Sequence, residues 1–480
     1  MNYSERIVRT VDVPFVIRGE VIEDYALEHR SGDVIFRTPD PHKLLGKLPL
    51  RSRVGMADLH TISIDEIIDY LAALGDRLHL KTNPYLQEAF SVTLGASNLT
   101  EDLVRMVYED QLALFFRRDK LHEMVDRRLG RAAIEGWAQE TSVDGRDIRV
   151  RAFGARTTHV VAGNGPGVSA ATIARNAITR SDAIIKTPSN DPVTAVAILR
   201  TMVDLDPNHP VTRHVSAVYW RGGDAVVEPE VFSSPNIDKI VAWGGMSAIK
   251  HVARFIGPGV ELIALDPKLS ISLLGAEVLA DPDLLDEGAR RLAHDVGMFN
   301  QEGCVCSRIA FIEVSKVADP EKAVRTFAEK VFEAMQSLPR EISTPVDRIP
   351  AGLRDEVESA MLTDDPEVIG GGTGKGGVLI SWGGRQVDFT AALAARYVNL
   401  VPVERITDVL EGISSTNQTC GVFPDSLREE MRDRLALAGV QRVSALGKSG
   451  GDNGAIPQDG IEVLRRMCRW IVDEGERQDR

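Results

Sequence analysis

One segment carries the residue types that covalent catalysis needs. In Asp295-Val296-Gly297-Met298-Phe299-Asn300-Gln301-Glu302-Gly303-Cys304-Val305-Cys306-Ser307-Arg308, Cys304 falls on a loop between a predicted helix and a predicted strand. A thiol presented there among backbone N–H groups can ionise and attack a carbonyl carbon. The competing reading is a buried, inert cysteine, and Cys306 is the rival nucleophile. Glu302 can modulate the thiol or be a plain loop carboxylate.

Three further segments supply complementary chemistry. VVAGNGPG (160–167) puts Asn164 at the end of a strand, where its amide can donate to a developing oxyanion. AIIKTPSNDP (183–192) puts Lys186 at another strand end, with Pro188 and Pro192 shaping the loop. WGGMSAIKH (243–251) puts Gly244 and Gly245 in the turn before a helix whose N-terminus can hold a phosphate. Trp243 either covers a cofactor or packs structurally. His159 and His294 fit no metal spacing and read as packed or solvated, so no metal site is expected.

The elements that must position these residues follow from periodicity. From about residue 155 the chain alternates strand, glycine turn, helix and strand, which means βαβ units and a parallel sheet. Apolar runs at 270–275, 308–314 and 377–381 repeat the rhythm and predict a second α/β lobe. The first part is β-rich and then helical. Ser63-Ile64-Asp65-Glu66 is a capping box, and helical stretches are expected at about 100–116 and 119–137. Asp144-Gly145 between short alternating runs predicts a hairpin. It is either an ordinary surface hairpin or one that pairs with a second subunit. GGGTGKGG (370–377) has no phosphate-loop spacing, because Lys375 is followed by glycine, and reads as a mobile turn. An apolar stripe through Leu464, Met467, Trp470 and Ile471 reads as a C-terminal helix.

Composition narrows the class. The 480 residues are 43% hydrophobic and 26% charged, with a net charge of −14, as expected of a globular protein with a large core. Without a basic block, such an acidic chain is not expected to bind nucleic acid or an anionic membrane. No apolar run suggests a membrane span, and no secretory signal is expected. Four unevenly spaced cysteines make no disulfide framework, so a cytoplasmic enzyme is expected.

The four chemical segments, in this order, resemble the aldehyde dehydrogenase superfamily over about residues 140–480. YWRGGD (219–224), NIDKIVAWGG (236–245), NQEGCVCSR (300–308), ISSTNQTCGVF (413–423) and QDG (458–460) before LRRMCRWI make the chain most similar to bioluminescence-type fatty acyl-CoA reductases. The resemblance implies Cys304 as nucleophile, Asn164 as oxyanion-hole amide, Lys186 as a ligand of the adenosine ribose, and Gly244 and Gly245 near the pyrophosphate.

Departures from the superfamily pattern are equally informative. Its hydrolytic members carry a glutamate base in a Leu-Glu-Leu-Gly-Gly-Lys segment. Here Ile263-Ala264-Leu265-Asp266-Pro267-Lys268-Leu269 has none in register, and Glu261 or Asp266 would need a shift. Without that base an acyl-cysteine has no fast path to water, so thiol exchange or hydride reduction is favoured. Ser189 replaces the glutamate that binds a ribose 2′-hydroxyl, which implies NADPH, with NADH possible. The Glu-x-Phe-Gly-Pro motif is missing from Ala395-Arg396-Tyr397-Val398-Asn399-Leu400-Val401-Pro402.

The expected fold is therefore α/β and aldehyde dehydrogenase-like. Residues 1–264 would form the N-terminal segment and NADP-binding lobe, with an oligomerisation hairpin at about 140–153. Residues 265–440 would form the catalytic lobe, and 441–480 a returning strand and helix. The expected activity is NADPH-dependent reduction of an acyl thioester, such as fatty acyl-CoA, to an aldehyde. A hydrolytic aldehyde dehydrogenase and a catalytically silent binding subunit are the alternatives. The resemblance further implies a homo-oligomer and an acyl-protein synthetase as possible partner.

Overall fold

The computed structural model describes residues 9–141, 146–346, 349–372, 374–450 and 455–475. The chain divides into two compact units. Met1–Ser97, Val104–Asp266 and Asn453–Arg480 form the first, and Asn98–Leu103 with Pro267–Asp452 form the second.

In the first unit five parallel strands run in the order Glu261–Leu265, Lys239–Trp243, Arg156–Val160, Asp182–Lys186 and Val215–Val218. The antiparallel pair Phe15–Ile17 and Glu20–Ile22 extends the last of these. The central strands are buried on both faces and read as continuous Val/Ile/Ala runs. Helices Gly167–Ile178 and Thr194–Leu205 connect them. Because the strands are parallel, the segments after Val160, Lys186, Val218 and Trp243 all emerge at one carboxyl edge, where open α/β sheets bind ligands.

The second unit repeats the plan. Strands Gly377–Ile380, Tyr397–Val403, Ser307–Glu313, Leu269–Leu274, Asn417–Phe423 and Arg442–Ala445 are parallel, and Glu367–Gly370 adds antiparallel at the edge. Helix Pro282–Gly297 starts at Asp281, whose carboxylate accepts from the amides of Asp283 and Leu284, with proline in the first turn. Its Leu285, Ala289, Leu292, Ala293 and Val296 recur at helical spacing and pack with Val324, Phe327 and Val331 of helix Pro320–Gln336.

Most of the expected elements are present. Ser63 and Glu66 complete their capping box at the start of helix Ile64–Gly75. The helical stretch expected at 119–137 is broken at Gly130, whose φ of 82° ends one segment before Arg131–Glu135 begins. GGGTGKGG turns between the paired strands Glu367–Gly370 and Gly377–Ile380, with Thr373 outside the described residues.

The C-terminal stripe corrects one expectation. The helix is only Val463–Met467, and Trp470 and Ile471 lie in strand Arg469–Glu474. That strand pairs antiparallel with Asp147–Phe153, which pairs in turn with Ala138–Thr141. A strand partner, absent from any local window, decides this outcome over the helical pattern. The expected hairpin strands are thus in place, and the turn with Asp144-Gly145 lies outside the described residues.

Candidate active site

The cysteine loop is held by side chains of its own unit. Helix Pro282–Gly297 ends in a tight turn at Met298–Gln301, where Phe299, Asn300 and Gln301 all take left-handed φ values of 53°, 50° and 67°. Each costs roughly 1–3 kcal/mol for a residue with a side chain, so neighbours must over-determine the geometry. They do. The Asn300 Oδ1 accepts from the Thr344 amide at 2.8 Å and from Ser343 Oγ at 3.2 Å. Gln301 Nε2 donates to the carbonyls of Ser307 and Tyr397, both at 2.8 Å, and its Oε1 accepts from the Tyr397 amide at 3.1 Å. Asp295, buried at the helix end, accepts from the Gly447 and Ser449 amides and from Ser449 Oγ.

Beyond this turn the two candidate sulfurs part company. Cys304 is exposed, and its carbonyl accepts from the buried Ser270 Oγ at 2.7 Å. Cys306 is 0% exposed, and its thiol donates to the Met298 carbonyl at 3.2 Å. Burial pushes the Cys306 thiol up to about 12, so it stays protonated at neutral pH. A turn closed by the Cys306 amide on the Gly303 carbonyl at 3.2 Å, rather than an extended segment, produces this in/out difference. None of the four cysteines is in a disulfide.

Arg308, at the start of strand Ser307–Glu313, adds an electrostatic element that sequence reasoning missed. Its Nε is buried without a partner. Burial lowers the guanidinium's pKa, opposed by attraction to Cys306, Glu302 and Cys304. Burial raises the Glu302 carboxyl, which Arg308 counteracts.

The remaining predicted residues belong to the first unit. Asn164 is four positions past the strand Arg156–Val160, on an exposed bend before helix Gly167–Ile178. Its loop is fastened to the Lys186 loop, because Asn190 Nδ2 donates to the Gly163 carbonyl at 2.9 Å. A Cβ at Gly163 would meet Asn190 Oδ1 at 1.7 Å, so only glycine permits this approach. Ser189 is exposed in the same loop.

Lys186 ends strand Asp182–Lys186 and turns into a cavity of about 270 Å³ also lined by Gly222, Gly223, Glu228, Ser247 and His251. Its ammonium lies 5.4 Å from the Trp220 ring centre and 5.8 Å from that of Tyr219. Burial lowers Lys186 to about 8. Attraction to the nearby Glu228 carboxylate opposes that shift. Gly244, at φ 153°, and Gly245 make the turn into helix Met246–Ala253, which brings Ser247 to the cavity. A cation, glycine backbone and a helix start around one cavity suit a phosphorylated nucleotide.

Contacts describe the other candidates. Trp243 packs beside Val463 and Met467. His159 is buried, and burial lowers it to about 4. Glu261 is engaged by Lys239 Nζ at 2.6 Å and Arg466 Nε at 2.7 Å, and these partners depress its pKa despite burial. Where the Glu-x-Phe-Gly-Pro motif is missing, Arg396 is buried with its Nη2 on the Met335 carbonyl, and the next residue, Tyr397, clamps Gln301.

Comparison with known proteins identifies the family and the fold. A family model described as acyl-CoA reductase (LuxC) matches residues 59–470. A long-chain acyl-protein thioester reductase of Vibrio harveyi is 24% identical over 96% of this chain and 93% of its own length. That of Photorhabdus laumondii is 26% identical, covering 97% and 94%. Lactaldehyde dehydrogenase from Escherichia coli superposes with a TM-score of 0.73 at 15% identity, covering 97% of this chain and 99% of that one. NADP-dependent glyceraldehyde-3-phosphate dehydrogenase from Bacillus halodurans, solved with NADP, gives 0.73 at 12% identity, covering 98% and 100%.

Proposed function

The chain belongs to the LuxC family of acyl-CoA reductases and is an oxidoreductase on an aldehyde dehydrogenase-like fold; we propose that it reduces a fatty acyl thioester to the aldehyde, with NADPH, through an acyl group held on Cys304. The observation that carries this reading is the contrast within one loop. Cys304 is exposed on an anchored backbone, whereas Cys306 is sealed and protonated.

In the proposed reaction the Cys304 thiolate attacks the thioester carbonyl carbon. The new carbon–sulfur bond forms, the bond to the departing thiol breaks, and that thiol leaves with a proton. A bound nicotinamide nucleotide supplies the hydride that reduces the acyl carbon. The resulting thiohemiacetal re-forms its carbonyl, the bond to Cys304 breaks, and aldehyde departs with the thiolate restored. Asn164 and the Cys304 amide are the proposed oxyanion donors. Lys186, Ser189, Gly244 and Gly245 are the proposed nucleotide residues, and the absence of a carboxylate at Ser189 supports the 2′-phosphorylated form.

Reduction is favoured over hydrolysis because Ala264 stands where a base would activate water, and Glu261 is committed to Lys239 and Arg466. The donor thiol is CoA or a carrier protein, the latter supported by the names of the relatives. A cytoplasmic homo-oligomer, joined through the hairpin at about 140–153, belongs to the same reading. No described helix is long and apolar enough to cross a membrane.

Mixing the protein with acyl-CoA in the absence of nucleotide tests the central step. Peptide mass spectrometry is expected to find the acyl group on Cys304. No adduct, or one on Cys306, overturns the assignment. A series of acyl-CoAs of graded length, scored by NADPH consumption, then defines the chain preferred.

A further inference from the structure

The cavity that holds Lys186 also holds a carboxylate, Glu228, which has no part in the reading above. Glu228 sits on the short helix Val227–Val231 and is 2% exposed. Three groups donate to it. Trp220 Nε1 reaches its Oε1 at 3.3 Å, the Gly223 amide reaches the same oxygen at 3.0 Å, and His251 Nε2 reaches Oε2 at 2.6 Å. All three contacts come from donors, the partners that carboxylate oxygens accept from. Arg254 Nη2 donates to His251 Nδ1, which leaves the His251 proton on Nε2, facing Glu228.

The charges around the cavity are therefore few and of both signs. Lys186 is held over Trp220 and Tyr219, beyond ion-pairing distance of Glu228, and the two feel each other across the space between them. A ligand group placed there meets one cation and one buried anion. A ribose hydroxyl is neutral and loses nothing to the anion. A 2′-phosphate is attracted by Lys186 and repelled by Glu228, and the weak screening of a buried site makes both effects felt.

We propose that Glu228 is a specificity-determining residue for the nucleotide: its fixed charge offsets the pull of Lys186 on a 2′-phosphate, so that the cavity accepts both the 2′-phosphorylated and the 2′-hydroxyl forms. Ser189 leaves room for the phosphate and Glu228 restrains the preference for it. This rests on the reading of the Lys186 cavity as the adenosine ribose site.

The test measures binding directly. Adenosine 2′,5′-bisphosphate and 5′-AMP are titrated calorimetrically into the full chain, its Glu228→Gln variant and its Lys186→Met variant. Glu228→Gln is expected to tighten the bisphosphate by about tenfold or more and to change 5′-AMP by less than about threefold, the scale for one charge removed across several ångströms of protein. Equal shifts for both nucleotides, or none, overturn the proposal. If Glu228→Gln does not fold, His251→Lys places a permanent cation against Glu228 and is expected to shift discrimination the same way; no shift there is equally fatal. The Lys186→Met arm separates the two levels. If it leaves both nucleotides unaffected, the cavity is not the ribose site. If it weakens the bisphosphate while Glu228→Gln leaves discrimination unchanged, only the role given to Glu228 fails.

Discussion

The side-chain amide of Gln301 bonds both backbone groups of Tyr397, accepting from its amide at 3.1 Å and donating to its carbonyl at 2.8 Å. A loop residue in the left-handed region is thereby bonded, strand-fashion, to the first residue of Tyr397–Val403, and Cys304 follows three positions later. Gln301→Ala would remove three hydrogen bonds to buried backbone, leaving the Tyr397 amide only its 3.2 Å contact with the Ala394 carbonyl, and release the turn. A stability loss of about 1–3 kcal/mol is expected in denaturant titration. The rate of aldehyde formation is expected to fall by about a hundredfold, because sub-ångström placement of a nucleophile is worth that much. Unchanged turnover would mean that the turn does not position the sulfur.

The two cysteines are expected to behave oppositely. Cys304→Ser should lower thioester-dependent NADPH oxidation by about a thousandfold or more, since a hydroxyl is a far weaker nucleophile near neutral pH. Cys306→Ala should keep most of the rate and cost about 1–2 kcal/mol of stability, the scale of a small buried deletion with a lost hydrogen bond. Iodoacetamide labelling read by mass spectrometry should find Cys304 modified first at pH 7.5.

Lys186 provides a pH signature. Its folded value of about 8 lies below the ordinary 10.5, so the unliganded fold binds fewer protons there than the unfolded chain between those limits. Its contribution to stability therefore rises as pH climbs from about 8 toward 10.5. Nucleotide binding should go the other way, because the attracting charge is lost as pH passes 8. Calorimetry with adenosine 2′,5′-bisphosphate at pH 7 and pH 9 should show weakening at the higher pH, and Lys186→Met should flatten that dependence. A pH-independent affinity would contradict a charged Lys186 in the site.

Water should be a poor acceptor for the acyl group. Aldehyde supplied with NADP⁺ is expected to give little acid on its own and to turn over at least about tenfold faster when CoA is added, as a missing general base implies. Rapid acid formation without thiol would favour the hydrolytic reading and point to a base other than Glu261.

Much of this site was legible in the residues, and the parts that were not share a cause. The alternating elements of both units follow from local periodicity, and the cysteine loop follows from its composition and place between helix and strand. Strand Arg469–Glu474 was misread because its pairing partner, Asp147–Phe153, is over three hundred positions away in the chain. Glu228 and Arg308 gave no signal for the same reason. Glu228 is set by its contacts with Trp220 and His251 and acts on Lys186 only through space, and Arg308 is set by burial with electrostatic attraction to Cys306, Glu302 and Cys304. The difference in exposure between Cys304 and Cys306, on which the proposed assignment rests, depends on a turn of a few residues that no local pattern shows.

Ser270, Asn300, Gln301 and Asp295 fasten the cysteine loop wholly to partners within Pro267–Asp452, whereas Lys186, Glu228 and Ser189 lie wholly within Val104–Asp266. On the proposed reading, the nucleotide residues and the sulfur that receives the acyl chain thus belong to separate blocks of sequence. That reading expects substitutions around Lys186 and Glu228 to change nucleotide preference while leaving the backbone that carries Cys304 intact.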